Sequence, residues 1–251
     1  MNMSKHIISV ITVSFNDRKG LIDVHDCLRR QTFNNYEWIV IDGASTDGSV
    51  EYLRSVTISN FSWLSEKDEG IYDAMNKGAA LANGEYLVFL NAGDVLPSIN
   101  TLRTVAEILL AEAPDVLFGA AELILPSGRS ITRLARSSNS YIWHGVPANQ
   151  QATYYRTKLV KDEPYDLRYR ICGDYYLAAQ LVKRRSHESY TNMPLVKFRV
   201  GDTSYRNPRR LFMEPYAIQR DVLGLPFWIR ARSFFKRGIS TVGLRILSSF
   251  R

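Results

Sequence analysis

Four short apolar runs recur in the first ninety positions, at residues 7–13, 37–42, 61–65 and 85–90. They are rich in β-branched and aromatic residues and read as strands buried on both faces. The segments between two of the gaps carry helical patterns instead. Leu21, Ile22, Val24 and Leu28 form one apolar stripe. Residues 72–82 place Ala74, Met75, Gly78, Ala79 and Ala82 on another. Alternating strand and helix predicts an α/β fold: a mostly parallel, Rossmann-like central sheet with helices on both faces. The turn at residues 43–48 offers Ser45 or Thr46 as caps for the helix that follows.

The second half reads as more mixed. Residues 115–125 and 130–134 flank Pro126-Ser-Gly128, a hairpin pattern. Residues 174–183 read as a helix and residues 190–200 as extended chain. The 251 residues suffice for one large domain, or for a domain with an appendage. Cys27 and Cys172 have no metal-ligand spacing and fit a reducing compartment. Neither a signal peptide nor an apolar run long enough to cross a bilayer is expected.

Charge divides the chain. Residues 206–251 carry ten Arg or Lys against two acids, leaving the preceding 205 residues at −1 of a total of +7. The main segment is therefore no nucleic-acid surface by charge. Residues 1–205 read as the principal domain and 206–251 as a basic helical tail. In that tail Phe227, Ala231, Phe234, Phe235, Ile239, Val242, Ile246 and Phe250 recur at helical spacing. Arg230, Lys236, Arg237 and Arg251 fall mostly on the other face. Such a helix can lie on an anionic membrane surface, dock on its own domain, or join two copies.

Three segments set polar residues where successive strands end: Thr12-Val-Ser-Phe-Asn16, Asp42-Gly-Ala-Ser-Thr-Asp47 and Leu90-Asn-Ala-Gly-Asp94. A parallel sheet gathers those ends along one edge, where open α/β sheets bind ligands. Ser14 and Asn16 can reach a ribose or a base, and Asp42 can accept from the N–H edge of a base. Asp94 can hold a hard cation, Mg²⁺ or Mn²⁺, that bridges a diphosphate. Each residue also has a plain structural use. Asp42 can cap its own turn, Asn16 can start a helix, and Asn91 can position a loop.

Taken in order, these segments resemble glycosyltransferase family 2, inverting enzymes of the GT-A fold that use nucleotide-diphosphate sugars. The block Asp68-Glu-Gly-Ile-Tyr-Asp-Ala-Met-Asn-Lys-Gly78 is the most specific. It resembles the exopolysaccharide branch, which includes the colanic acid transferases of enteric bacteria. The segments at residues 144–155, 165–169 and 173–179 strengthen that tie.

The resemblance implies roles. Thr12, Ser14 and Asn16 would line the nucleoside pocket, and Asp42 would read the base. Asp68 and Asp73 would face the donor, with Asn91 beside it. Asp94 would be the metal ligand, and Asp174 the general base. His144, Gln150 and Gln151 are candidates for the acceptor side. Equally, His144 can be a satisfied structural group, Asp73 a first-turn helix acid, and Asp174 an acid favoured by a helix N-terminus.

The implied partners are a UDP- or GDP-sugar, a glycan or polyprenyl-diphosphate-linked acceptor, and the cytoplasmic face of the inner membrane. Three departures stand out. Gly43 and Gly173 replace acids common in the family, and Asn91-Ala-Gly-Asp94 keeps one carboxylate where two are usual. That thinned set leaves a scaffold role open. A sugar nucleotidyltransferase is the other enzyme class weighed, but its Gly-rich basic loop is missing after the first strand.

Overall fold

The predicted runs become β1 (His6–Ser14), β2 (Tyr36–Asp42), β3 (Phe61–Ser65) and β4 (Gly84–Phe89). They pair in parallel in the order β3-β2-β1-β4. This is a computed structural model, and it describes residues 6–200 and 207–249. The order reverses direction at β1, so β1 and β4 flank the crevice where ligands of such sheets bind. Register sets the edge: Ser14 stands opposite Asp42, and Asp42 opposite Ser65.

Both faces of the sheet are covered, which is why these strands are apolar at successive positions. On one face Trp38 and Val40 pack with α1 (Arg18–Leu28) and α4 (Thr101–Glu112), through Leu21, Val24, Leu102 and Val105. On the other face Ile39 and Ile41 pack with α3 (Ile71–Leu81) through Ala74, Met75 and Ala79. A Cβ at Gly78 would lie 2.4 Å from Ile11 Cγ2, so this glycine lets α3 sit close on β1. The short α2 (Ser49–Ser55) starts at Gly48 without a side-chain cap. Neither Ser45 nor Thr46 caps it: Ser45 Oγ donates to Asp42, and the Ser49 N–H donates to Asp47 Oδ1 instead.

The rest of the sheet is mixed. β5 (Val116–Ile124) and β6 (Ser130–Arg133) form the predicted hairpin. β7 (Thr153–Arg156) runs antiparallel between β4 and β5, and was not foreseen in a four-residue segment. β8 (Glu188–Arg199) runs parallel along β5. Connecting them are α5 (Ser138–Tyr141), α6 (Thr157–Asp162) and α7 (Gly173–Lys183). The helices α6 and α7 complete the α3 face through Val160, Leu177 and Leu181.

The expected boundary between residues 205 and 206 lies outside the described residues. Beyond it, α8 (Pro208–Asp221) packs on α7, with Ile218 buried beside Tyr175, Ala178 and Ala179. Gly224, at φ +62°, breaks the chain before α9 (Phe227–Ser249). The first turns of α9 dock through polar groups: Ser233 is buried, and Arg237 Nη2 donates to the His144 carbonyl at 2.6 Å. Phe234 of its aromatic stripe packs on Phe212 of α8, while Phe227, Trp228 and Phe235 are exposed. The side chains of Ile239, Val242 and Ile246, and all of Phe250 and Arg251, lie outside the described residues.

Candidate active site

The β1 and β2 exits form one polar corner. Asn16 holds a left-handed φ of +50°. Its Oδ1 accepts from Thr46 N at 2.9 Å, and its own N–H donates to Ser45 Oγ at 2.7 Å. Asp42 is fully buried. It accepts from Ser45 N at 2.9 Å, Ser45 Oγ at 2.5 Å and Ser65 Oγ at 2.7 Å. Both of its oxygens thus serve the turn, the structural use foreseen for it.

Thr12 lies inside the core, where its hydroxyl accepts from the Trp38 indole at 2.9 Å. Full burial two residues before the strand end keeps it away from the polar corner. Ser14, two residues on, is buried at the strand end, and its hydroxyl has no protein partner. Between Ser14 and Asn16, Phe15 is 65% exposed beside Gly43. It is a flat aromatic platform that no local pattern had marked.

The β4 exit turns through Gly93, at φ +84°, a conformation that favours glycine. It delivers Asn91 and Asp94 to a cleft of about 550 Å³, within the range of small-molecule sites. Asp94 is 5% exposed, and burial pushes its carboxyl up to about 8, against the pull of Arg199. Asn91 Oδ1 is buried without a hydrogen-bond partner. Among the described residues no cluster of three or more His, Cys, Asp or Glu is poised for a metal. Mg²⁺, however, is commonly held by one or two carboxylates together with substrate phosphates. An unpartnered amide oxygen and a carboxylate on one cleft wall fit that demand.

Asp174, in the first turn of α7, lines the same cleft. Its carboxylate accepts from Tyr175 N at 2.7 Å. Burial raises its pKa, while that hydrogen bond, Arg133 and Arg237 pull it back. Gln150 and Gln151 line the same cleft, and Gln150 Nε2 donates to Tyr165 Oη at 2.5 Å. Arg133, Arg170 and Arg199 also line it. Sequence reading missed all three, because they come from β6, a loop and β8 and share no local motif.

Other expected residues sit elsewhere. Asp68 accepts from Gly70 N at 2.8 Å, outside the cleft walls. Asp73 accepts from Glu69 N at 3.0 Å and pairs with Lys77 at 3.2 Å, as a first-turn helix acid does. His144 is buried, with Nδ1 3.1 Å from Ser233 Oγ. Burial, with Arg237 and Lys236 adding to it, lowers its pKa to about 4. It is a neutral tie between a loop and α9, not a wall of the cleft.

Two departures from the family pattern have a steric cause. A Cβ at Gly43 would meet Asp68 Oδ2 at 2.7 Å. A Cβ at Gly173 would meet three carbons of the Tyr72 ring at 2.8 Å. Each glycine leaves room for a side chain from the Asp68–Gly78 block. Tyr72 is held in turn by stacking on Tyr165, at 5.0 Å, and by donating to the Ile171 carbonyl at 2.8 Å. The loop before Asp174 has a further anchor in α8. The Glu214 carboxylate accepts from the backbone N–H groups of Arg170, Ile171 and Cys172, at 3.0, 2.9 and 2.9 Å.

Residues 9–190 match the family model described as Glycosyl transferase family 2. An uncharacterized glycosyltransferase of Mycobacterium tuberculosis is 34% identical over 181 residues, covering 70% of this chain and 69% of that protein. A PGL/p-HBAD biosynthesis glycosyltransferase of the same species is 32% identical over 187 residues, covering 69% and 68%. Among solved structures, S. aureus TarS 1-349 in complex with UDP-GlcNAc superposes with a TM-score of 0.70 at 18% identity, over 93% of this chain and 72% of that one. The mannosyltransferase PcManGT from Pyrobaculum calidifontis, in complex with GDP-Man and Mn2+, gives 0.69 at 15% identity, over 96% and 75%.

The Tyr72–Gly173 contact predicts that Gly173→Ala lowers stability by ~1–3 kcal/mol, the usual cost of overpacking. Gly43→Ala should cost less, since it meets the mobile end of a carboxylate. Urea denaturation of both variants checks this; an unchanged midpoint for Gly173→Ala contradicts it.

Proposed function

This chain belongs to glycosyl transferase family 2 and is a glycosyltransferase, and from that premise we propose its reaction. It moves one sugar from a UDP- or GDP-sugar to a hydroxyl of a lipid-linked glycan acceptor, with inversion, in bacterial exopolysaccharide assembly. One observation carries the reading: a single cleft gathers Asn91 and Asp94 at the β4 exit, Asp174 at the start of α7, and three arginines. UDP-GlcNAc in TarS and GDP-Man in PcManGT support a nucleotide-sugar donor. Resemblance to the colanic acid transferases supports the exopolysaccharide role.

In this reading the nucleoside lies at the β1–β2 corner. Phe15 offers its face to the base, next to the buried Ser14. Asn16, Asp42 and Asp68 frame the corner from behind. The diphosphate extends toward the β4 exit. Arg133, Arg170 and Arg199 meet its oxygens with charge-assisted hydrogen bonds that strengthen as the leaving group gains charge.

Asn91 and Asp94 would hold Mg²⁺ or Mn²⁺. When bound, such a cation offsets diphosphate charge as a Lewis acid. Asp174 takes the proton of the acceptor hydroxyl as that oxygen attacks the anomeric carbon from the face opposite the leaving group. Its raised pKa suits a base that must hold a proton after transfer. Gln150 and Gln151 sit on the acceptor side.

Among the described residues no helix is long and apolar enough to cross a membrane. The outward face of α9 supports contact with the cytoplasmic surface of the inner membrane instead. Trp228 and Phe235 are 71% and 70% exposed, and Arg232 and Lys236, which lie over the Trp143 ring at 5.1 and 5.2 Å, flank them on the same helix. Aromatic rings settle at the lipid interface, while basic groups meet anionic headgroups.

Two experiments test this reading. UDP- and GDP-sugars are screened by thermal shift with Mn²⁺, and a matched donor at 100 times its Kd should add ~2.7 kcal/mol to stability. NMR of the transfer product should then show the inverted anomer. Stabilisation by no donor, or a retained anomer, counts against it.

For the membrane contact, wild type should co-float with vesicles containing phosphatidylglycerol, while Trp228→Glu/Phe235→Glu stays in the soluble fraction. Equal flotation of both proteins contradicts the contact.

A further inference from the structure

A second cavity, of about 180 Å³, lies behind Asp174. It shares Val146, Ile171 and Asp174 with the main cleft, so the two spaces meet at the candidate base. Its other walls are apolar, from Gly145, Cys172, Leu211 and Pro215, with Arg237 among them.

The cavity is built by α8. Leu211, Glu214 and Pro215 follow helical i, i+3, i+4 spacing and therefore share one face. Leu211 and Pro215 form a wall. Between them, Glu214 accepts the three N–H groups of residues 170–172, two of which form the opposite wall. A carboxylate bonded in this way fixes the loop and keeps the space from collapsing. Arg237, tied to the His144 carbonyl, sets a guanidinium at the edge. Beyond Pro215 and Arg237, α8 and α9 close on each other, with the Phe212 and Phe234 rings packed 5.2 Å apart.

We propose that this cavity seats the lipid phosphate of the acceptor: the phosphate at Arg237 and the first apolar chain segment against Leu211 and Pro215. The proposal rests on the reading of the chain as a transferase to a lipid-linked acceptor. Apolar walls match the chain, and the guanidinium matches the anion. The volume lies below the range of whole-ligand pockets, as befits one part of a longer molecule. Because the cavity abuts Asp174, the glycan between lipid phosphate and reacting hydroxyl is short. The reaction that supplies this acceptor is therefore the transfer of the first sugar, or of a sugar phosphate, onto the lipid carrier.

Isothermal titration of the full chain with farnesyl phosphate below its micelle concentration tests the site, with farnesol, inorganic phosphate, UDP and GDP as further titrants. Farnesyl phosphate should bind about tenfold or more tightly than farnesol or phosphate. Leu211→Trp and Gly145→Val fill the cavity and should weaken it by about tenfold. A Cβ at Gly145 meets Tyr141 only at ordinary contact, 3.5 Å, so the second variant is expected to fold. UDP or GDP affinity should stay within about twofold in both variants. Farnesyl phosphate binding that is unchanged in both variants, or equal to farnesol, overturns the proposal while leaving the donor reading intact. Failure of wild type to bind either nucleotide overturns the donor reading separately.

Discussion

Parallel pairing of β1 with β2 on one side and β4 on the other is the constraint from which the site follows. Ser14 is held opposite Asp42, and Ile11 opposite Phe89, so three chain exits open on one edge. A one-residue slip would turn every buried side chain of a strand to the wrong face. Helices pack on both faces here, so the register has no freedom. The Asn91–Asp94 turn and the Ser14–Asn16 turn are therefore delivered to fixed places before any ligand arrives.

The opposite wall is assembled from distant parts of the chain. Tyr72 fills the space that Gly173 leaves open, which joins the α3 entrance to the start of α7. Glu214 reaches from α8 to hold the backbone immediately before Asp174. A residue in the basic tail thus positions the loop that carries the candidate base. The tail meets the domain through Ile218, Ser233 and Arg237, while Phe227, Trp228 and Phe235 are exposed. α8 braces the loop before the candidate base, and α9, which carries the outward face, packs against α8.

Much of this was legible in the sequence because it rests on local patterns. The four parallel strands, the α3 stripe, the hairpin at Gly128 and the Asp94 strand exit each follow from spacing within a few residues. What was hidden depends on contacts between distant segments. Thr12 reads as a pocket residue in the sequence, but it is fully buried and accepts from the Trp38 indole. Arg133, Arg170 and Arg199 converge only after β6, a loop and β8 have folded. The tail was legible as an amphipathic helix, but periodicity alone does not say which face docks. Buried Ser233 and exposed Trp228 supply that answer.

The central claim is that Asp174 carries the proton while the β1–β4 edge holds the donor. Asp174→Asn keeps the shape and removes the base. Transfer by this variant is measured beside its affinity for the donor nucleotide. The account requires transfer to fall by about 10²–10⁴-fold, the usual share of a general base, with nucleotide affinity unchanged. Transfer at the wild-type rate would contradict it.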